Sequence, residues 1–75
     1  MAKQIRNDEA LHQIVEKLKA LRKKTGMLQK TITKETGMNI GNIEAEMTNI
    51  SITTLERLCR YYGLTLEEFF EDIDL

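Results

Sequence analysis

Residues 26–70 read GMLQKTITKETGMNIGNIEAEMTNISITTLERLCRYYGLTLEEFF. The placing of Gly26, Gly37, Ser51, Gly63 and Thr65 divides this stretch into short helices. A glycine after an apolar periodic run marks a helix stop, because it takes the left-handed conformation that other residues resist. Serine and threonine mark starts, because their hydroxyls accept from the first free N–H groups of a helix. The spacing therefore predicts a helix from about Leu28 to Thr36, stopped by Gly37, with Ile32 inward. The next runs from Met38 or Asn39 to Glu46, with Ile40 and Ile43 inward, and Asn49 is expected to take a left-handed turn after it. The fourth helix is capped by Ser51, buries Ile52, Leu55, Leu58, Cys59 and Tyr62, and ends at Gly63. Thr65 and Glu68 form a capping box for a last helix with Leu66, Phe69, Phe70 and Ile73 inward.

Upstream, Leu11, Ile14, Val15, Leu18 and Leu21 make one apolar stripe at helical spacing. Asn7 or Asp8 is the expected cap, and Arg22, Lys23 and Lys24 suit the negative end of the helix dipole before the stop at Gly26. This first helix spans roughly 8–24. Residues 1–7 are expected to be a flexible arm. No segment has strand alternation of useful length, so the fold class is all-α, with five helices in one domain over residues 1–75.

Composition narrows the function. No apolar run is long enough for a membrane span, and the polar start is no signal peptide. The lone Cys59 sits in an apolar helical pattern and reads as a buried structural thiol, in keeping with a cytoplasmic protein. His12 reads as an isolated surface residue, with no Cys, His or carboxylate at metal spacing. No catalytic triad, phosphate loop or paired-carboxylate site is present, so neither enzyme activity nor a cofactor is expected. The net charge is −1, but residues 1–37 hold nine basic and four acidic side chains, against two and eight in residues 38–75. Such a dipolar chain can turn a basic face to phosphate and keep its acidic end away.

The motifs in residues 26–70 resemble the XRE family, the helix-turn-helix DNA-binding domains of phage-repressor and Cro type. Gly26-Met27-Leu28-Gln29 is similar to the family's Gly-hydrophobic-Ser/Thr-Gln start of the second helix, and Gly37 stands at the turn glycine. Ile40-Gly41-Asn42-Ile43-Glu44 matches the end of the recognition helix, Ser51-Ile52-Thr53-Thr54-Leu55 the start of the fourth, and Tyr62 to Phe70 the last-helix signature. The chain departs from the family in four ways. Gly37 to Ile43 is about one helical turn shorter than the commonest spacing. Leu28 replaces the Ser/Thr cap. Ala45-Glu46-Met47 replaces a glycine, so that helix three is expected to run on toward Asn49. The recognition helix carries no Arg or Lys.

The resemblance implies a five-helix repressor-like domain that puts its third helix in a DNA major groove. It also implies that Gln29 touches a phosphate and braces the recognition helix. Asn39 and Asn42 are candidates for base edges, since Asn pairs with adenine at N6 and N7; capping and plain solvation compete as their roles. Gly41 offers close backbone approach, Lys30 and Lys34 offer phosphate charge, and Lys23 and Lys24 add to it from the end of the first helix, where helix-dipole complementarity explains them equally well. Thr48 and Asn49 lie where family members touch phosphate, or serve only the turn. Glu44 is expected to pair with a basic residue of another helix. Glu46 would oppose a phosphate. The leading expectation is a sequence-specific regulator of transcription binding double-stranded DNA as a homodimer, through the last helix with Leu66, Phe69, Phe70, Ile73 and Leu75. The alternative is an antitoxin-like or adaptor module that binds a protein partner on the same fold.

Overall fold

A computed structural model describes residues 7–73. Five helices follow one another: α1 Asp8–Thr25, α2 Gln29–Thr36, α3 Ile40–Glu44, α4 Ile52–Tyr61 and α5 Leu66–Phe70, with no strand among the described residues. Residues 1–6 of the expected arm and Leu75 lie outside the described residues, whereas Asn7 caps α1 by accepting from the Ala10 N–H at 3.0 Å.

Apart from the end of α3, the stops and starts fall where the sequence places them. Gly26, Gly37 and Gly63 are left-handed, with φ of 77°, 78° and 83°. Ser51 Oγ accepts from the Thr54 N–H, and Thr65 and Glu68 close a reciprocal capping box. Leu28 caps α2 without a side-chain bond and stands 64% exposed, so that helix start lacks a contribution of about 0.5–2 kcal/mol that Ser or Thr brings.

The described core gathers Leu18 of α1, Ile32 of α2, Met38, Ile40 and Ile43 around α3, Leu55, Leu58 and Cys59 of α4, and Phe69 of α5. Every helix contributes, because none of the short ones can bury enough apolar surface alone. Cys59 is fully buried, and burial pushes its thiol up from the usual range. Phe69 is also fully buried. It meets Phe70 edge-on at 5.2 Å, and the Lys17 ammonium lies 5.4 Å from its ring centre. Lys17 is paired in turn with Asp72, so α1 holds the end of α5 by charge as well as by packing.

Three expectations are corrected. Helix α3 does not reach Glu46 or run on toward Asn49; it ends at Glu44. The Glu46 N–H donates to the Ile43 carbonyl and the Met47 N–H to the Asn42 carbonyl, which together make a Schellman stop. The left-handed residue of that stop is Glu46, with φ of 59°, not Asn49. A glutamate there costs about 1–2 kcal/mol of backbone strain, and tertiary contacts hold it. Ile52 is 65% exposed rather than buried, because the first residue of α4 has no element packed over it.

Candidate nucleic-acid interface

Short polar bonds fix the angle between α2 and α3. The Thr36 hydroxyl donates to the Ile32 carbonyl and accepts from the Met38 N–H, so it bridges the end of α2 to the turn. Thr33 Oγ1 accepts from the Ile40 N–H at 3.1 Å, so the first residue of α3 is tied to α2. Arg57 of α4 donates to the Thr36 carbonyl from behind. Asn39 caps α3 by accepting from the Asn42 N–H at 3.0 Å.

A buried polar cluster braces this pair from within. Arg22 Nε and Nη2 donate to the two Glu44 carboxylate oxygens at 2.7 and 2.9 Å, and Gln29 Nε2 donates to Glu44 Oε1 at 2.8 Å. The same guanidinium donates to the Met27 carbonyl at 3.1 Å. One carboxylate therefore joins α1, the start of α2 and the end of α3. Burial pushes the Glu44 carboxyl up, but the bonds from Arg22 and Gln29 outweigh it and hold the group below its ordinary range. Tyr62 lies nearby and is pushed up to about 12, by burial first and by the Glu44 charge next. The expected pairing of Glu44 with a basic residue of another helix is thus observed, as is the bracing role of Gln29. The partner, Arg22, is not legible in the sequence, because the last turn of α1 offers three adjacent cations.

The outer surface brings the sequence candidates together. Gln29, Lys30, Lys34, Asn39 and Gly41 line one open hollow between α2 and the start of α3. Asn39, Asn42, Thr48 and Asn49 line an adjoining one, so Asn39 stands where the two meet. A third hollow shares Gln29 and Gly41 with the first and is edged by Lys19 and Lys23 of α1. Lys19 is a member that the sequence reading missed; its i, i+4 spacing from Lys23 on one face of α1 is the available signal. A Cβ built on Gly41 would lie 3.5 Å from Gln29 Oε1 and 3.6 Å from Asn39 Oδ1, which is ordinary contact.

Charge is not spread evenly over this molecule. Arg22, Lys17, Lys19 and Arg60 are each paired with a carboxylate. Among the described residues, Lys23, Lys24, Lys30, Lys34 and Arg57 have no carboxylate partner, and Lys23, Lys30 and Lys34 of these edge the hollows. Glu46, expected to oppose phosphate, turns toward α1, where its carboxylate meets His12 Nδ1 at 2.7 Å. His12 is therefore not isolated, as the sequence suggested: Glu16 lies one turn along α1 and Glu46 joins from the far side of α3. The bond to Glu46, and then its charge, raise the His12 pKa.

The family model described as helix-turn-helix matches residues 18–69, from the second half of α1 to α5. The chain belongs to the XRE-type helix-turn-helix family. This is a family of DNA-binding regulators, and the matched residues include the α2–α3 pair and the helices that support it. No curated protein and no solved structure matches the chain. No described helix is long and apolar enough to cross a membrane.

Proposed function

We propose that this XRE-type domain is a sequence-specific regulator of transcription that binds double-stranded DNA and acts by occupancy, without catalysis. The observation that carries this reading is the gathering of unpaired Lys23, Lys30 and Lys34 around the hollows where Gln29, Asn39, Gly41 and Asn42 face solvent. Lysines on such a rim meet phosphates and set the register, while amides inside it reach base edges. The Asn42 amide is exposed and has no partner among the described residues. It is the first choice for an adenine. Asn39 already accepts one bond from the Asn42 backbone, which fixes its amide, and its NH2 group is left to donate. Gln29 gives one hydrogen to Glu44 and keeps a second for a phosphate. Thr48 and Asn49 add phosphate contacts from the loop.

A homodimer on a partly palindromic site, with half-sites about 34–36 Å apart, is the expected assembly. Phe69 is closed off in the core and takes no part in the dimer surface. The half-buried Leu66 and Phe70 of α5, and Ile73 just beyond it, are the described apolar residues that remain for it.

Selection from a random duplex pool tests the reading. Enrichment of one motif, with one position lost in Asn42→Ala, supports it; a pool that stays unenriched at low salt refutes it. A second reading, a protein-binding module, is favoured by the absence of a cation on α3 and by the exposure of Met47 and Ile52 on either side of the loop after it. Failure on every duplex together with a stable co-purifying partner is the outcome that selects it.

A further inference from the structure

His12, Glu16 and Glu46 lie apart from the α2–α3 surface, and the reading above does not use them as contacts. His12 and Glu16 are four residues apart on α1, so their side chains share a face. Glu46 reaches them from the left-handed turn after α3. One ligand atom from each residue lies within 4.8 Å of the other two. We propose that these three side chains form a binding site for a divalent transition metal of the zinc class, with the remaining coordination positions open to water.

The donor set decides the metal class. An imidazole nitrogen selects zinc and its neighbours over magnesium and calcium, which take oxygen donors alone. Three protein ligands with an open position is the pattern of zinc sites that are not purely structural. The His12–Glu46 distance fits with little movement, and the Glu16 ligand atom, within 4.8 Å of both, must close by up to about 1.5 Å. Zinc bonds of about 2.0–2.1 Å at a tetrahedral angle place two ligand atoms about 3.3 Å apart. His12 Nδ1 and Glu46 Oε2, now 2.7 Å apart across a hydrogen bond, need to separate by only about 0.6 Å. His12 is exposed and free to make that shift. Glu16 meets Lys19 at 3.1 Å and Glu46 meets His12 at 2.7 Å, so a dication would replace these cations as the carboxylates' partner. Bound there, it ties α1 to the turn that leads into Thr48 and Asn49, and stabilises the fold by mass action. The metal site stands whether or not the chain binds DNA.

Zinc titrated calorimetrically into the full chain, in a buffer that does not chelate, is the direct test. Saturable binding of one zinc per chain is expected, with magnesium far weaker and with cobalt perturbing the amides of residues 12–16 and 46–49. Outer-shell partners alone change metal affinity by about 10–100-fold, so His12→Ala and Glu46→Gln, each losing a direct ligand, should weaken zinc by at least about tenfold. Glu71→Gln, in the acidic end of the chain, should leave it unchanged. Circular dichroism establishes that each variant is folded. Absence of saturable zinc binding, or wild-type affinity in folded His12→Ala, overturns the proposal.

Discussion

Replacing Glu44 by methionine tests the physical account of how α3 is held. The Glu44 side chain is 4% exposed and that of Arg22 14%, so the variant leaves a guanidinium buried with only the Met27 carbonyl as partner. Removing one member of a buried pair costs about 3–5 kcal/mol, because the remaining charge loses its compensation inside the protein. A chain of 75 residues has a total stability of about 4–11 kcal/mol at about 0.05–0.15 kcal/mol per residue. Glu44→Met is therefore expected to sit near the edge of folding. The double variant Arg22→Met/Glu44→Met removes both charges at similar volume, and such replacements range from neutral to about 1–4 kcal/mol stabilising. It should thus recover at least about 2 kcal/mol relative to the single variant. Urea unfolding followed by circular dichroism measures both. pH supplies a second arm. The Glu44 carboxyl is held below its ordinary value of 4.5, so its contribution is full above that value and is lost as pH falls through the depressed one. Wild-type stability should fall more steeply below pH 4.5 than that of the double variant. A Glu44→Met protein within about 1 kcal/mol of wild type, or a double variant no more stable than the single, refutes the reasoning.

Leu28→Ser supplies the missing cap of α2 at an exposed position and is expected to raise stability by about 0.5–2 kcal/mol in the same unfolding assay. Gly41→Ala gains up to about 1 kcal/mol of helix propensity, since no atom blocks the new methyl. If the backbone there approaches a duplex, the same change weakens binding to a selected site, so stability and affinity move in opposite directions. Lys30→Ala and Lys34→Ala should each reduce the slope of log affinity against log salt by about 0.9, while Lys17→Ala, whose charge is already paired with Asp72, should leave it unchanged.

Much of the fold is local and therefore legible. Glycines at 26, 37 and 63, hydroxyl caps at 51 and 65 and the apolar stripes each act within a few residues, so their positions alone place five helices. The end of α3 is not legible, because a glutamate takes the place where a glycine would announce the stop. Ile52 shares the apolar periodicity of α4, yet its exposure depends on which elements cover it. The candidate contacts are a middle case. The family motifs indicate Gln29, Lys30, Lys34, Asn39, Gly41, Asn42, Thr48 and Asn49, but that they border adjoining hollows is a matter of packing.

Charge shows the division most clearly. By itself, the sequence determines a basic first half, an acidic second half and the number and order of the helices. It does not determine which charges survive, because pairing joins residues far apart in the chain. Folding sets Lys17 against Asp72, Arg22 against Glu44 and His12 against Glu46. These contacts cancel part of the asymmetry, and of the cations left without a carboxylate, Lys23, Lys30 and Lys34 edge the hollows beside α2 and α3. Electrostatic attraction falls with distance in space rather than in sequence. The tertiary structure, not the composition, therefore decides where this protein presents positive charge.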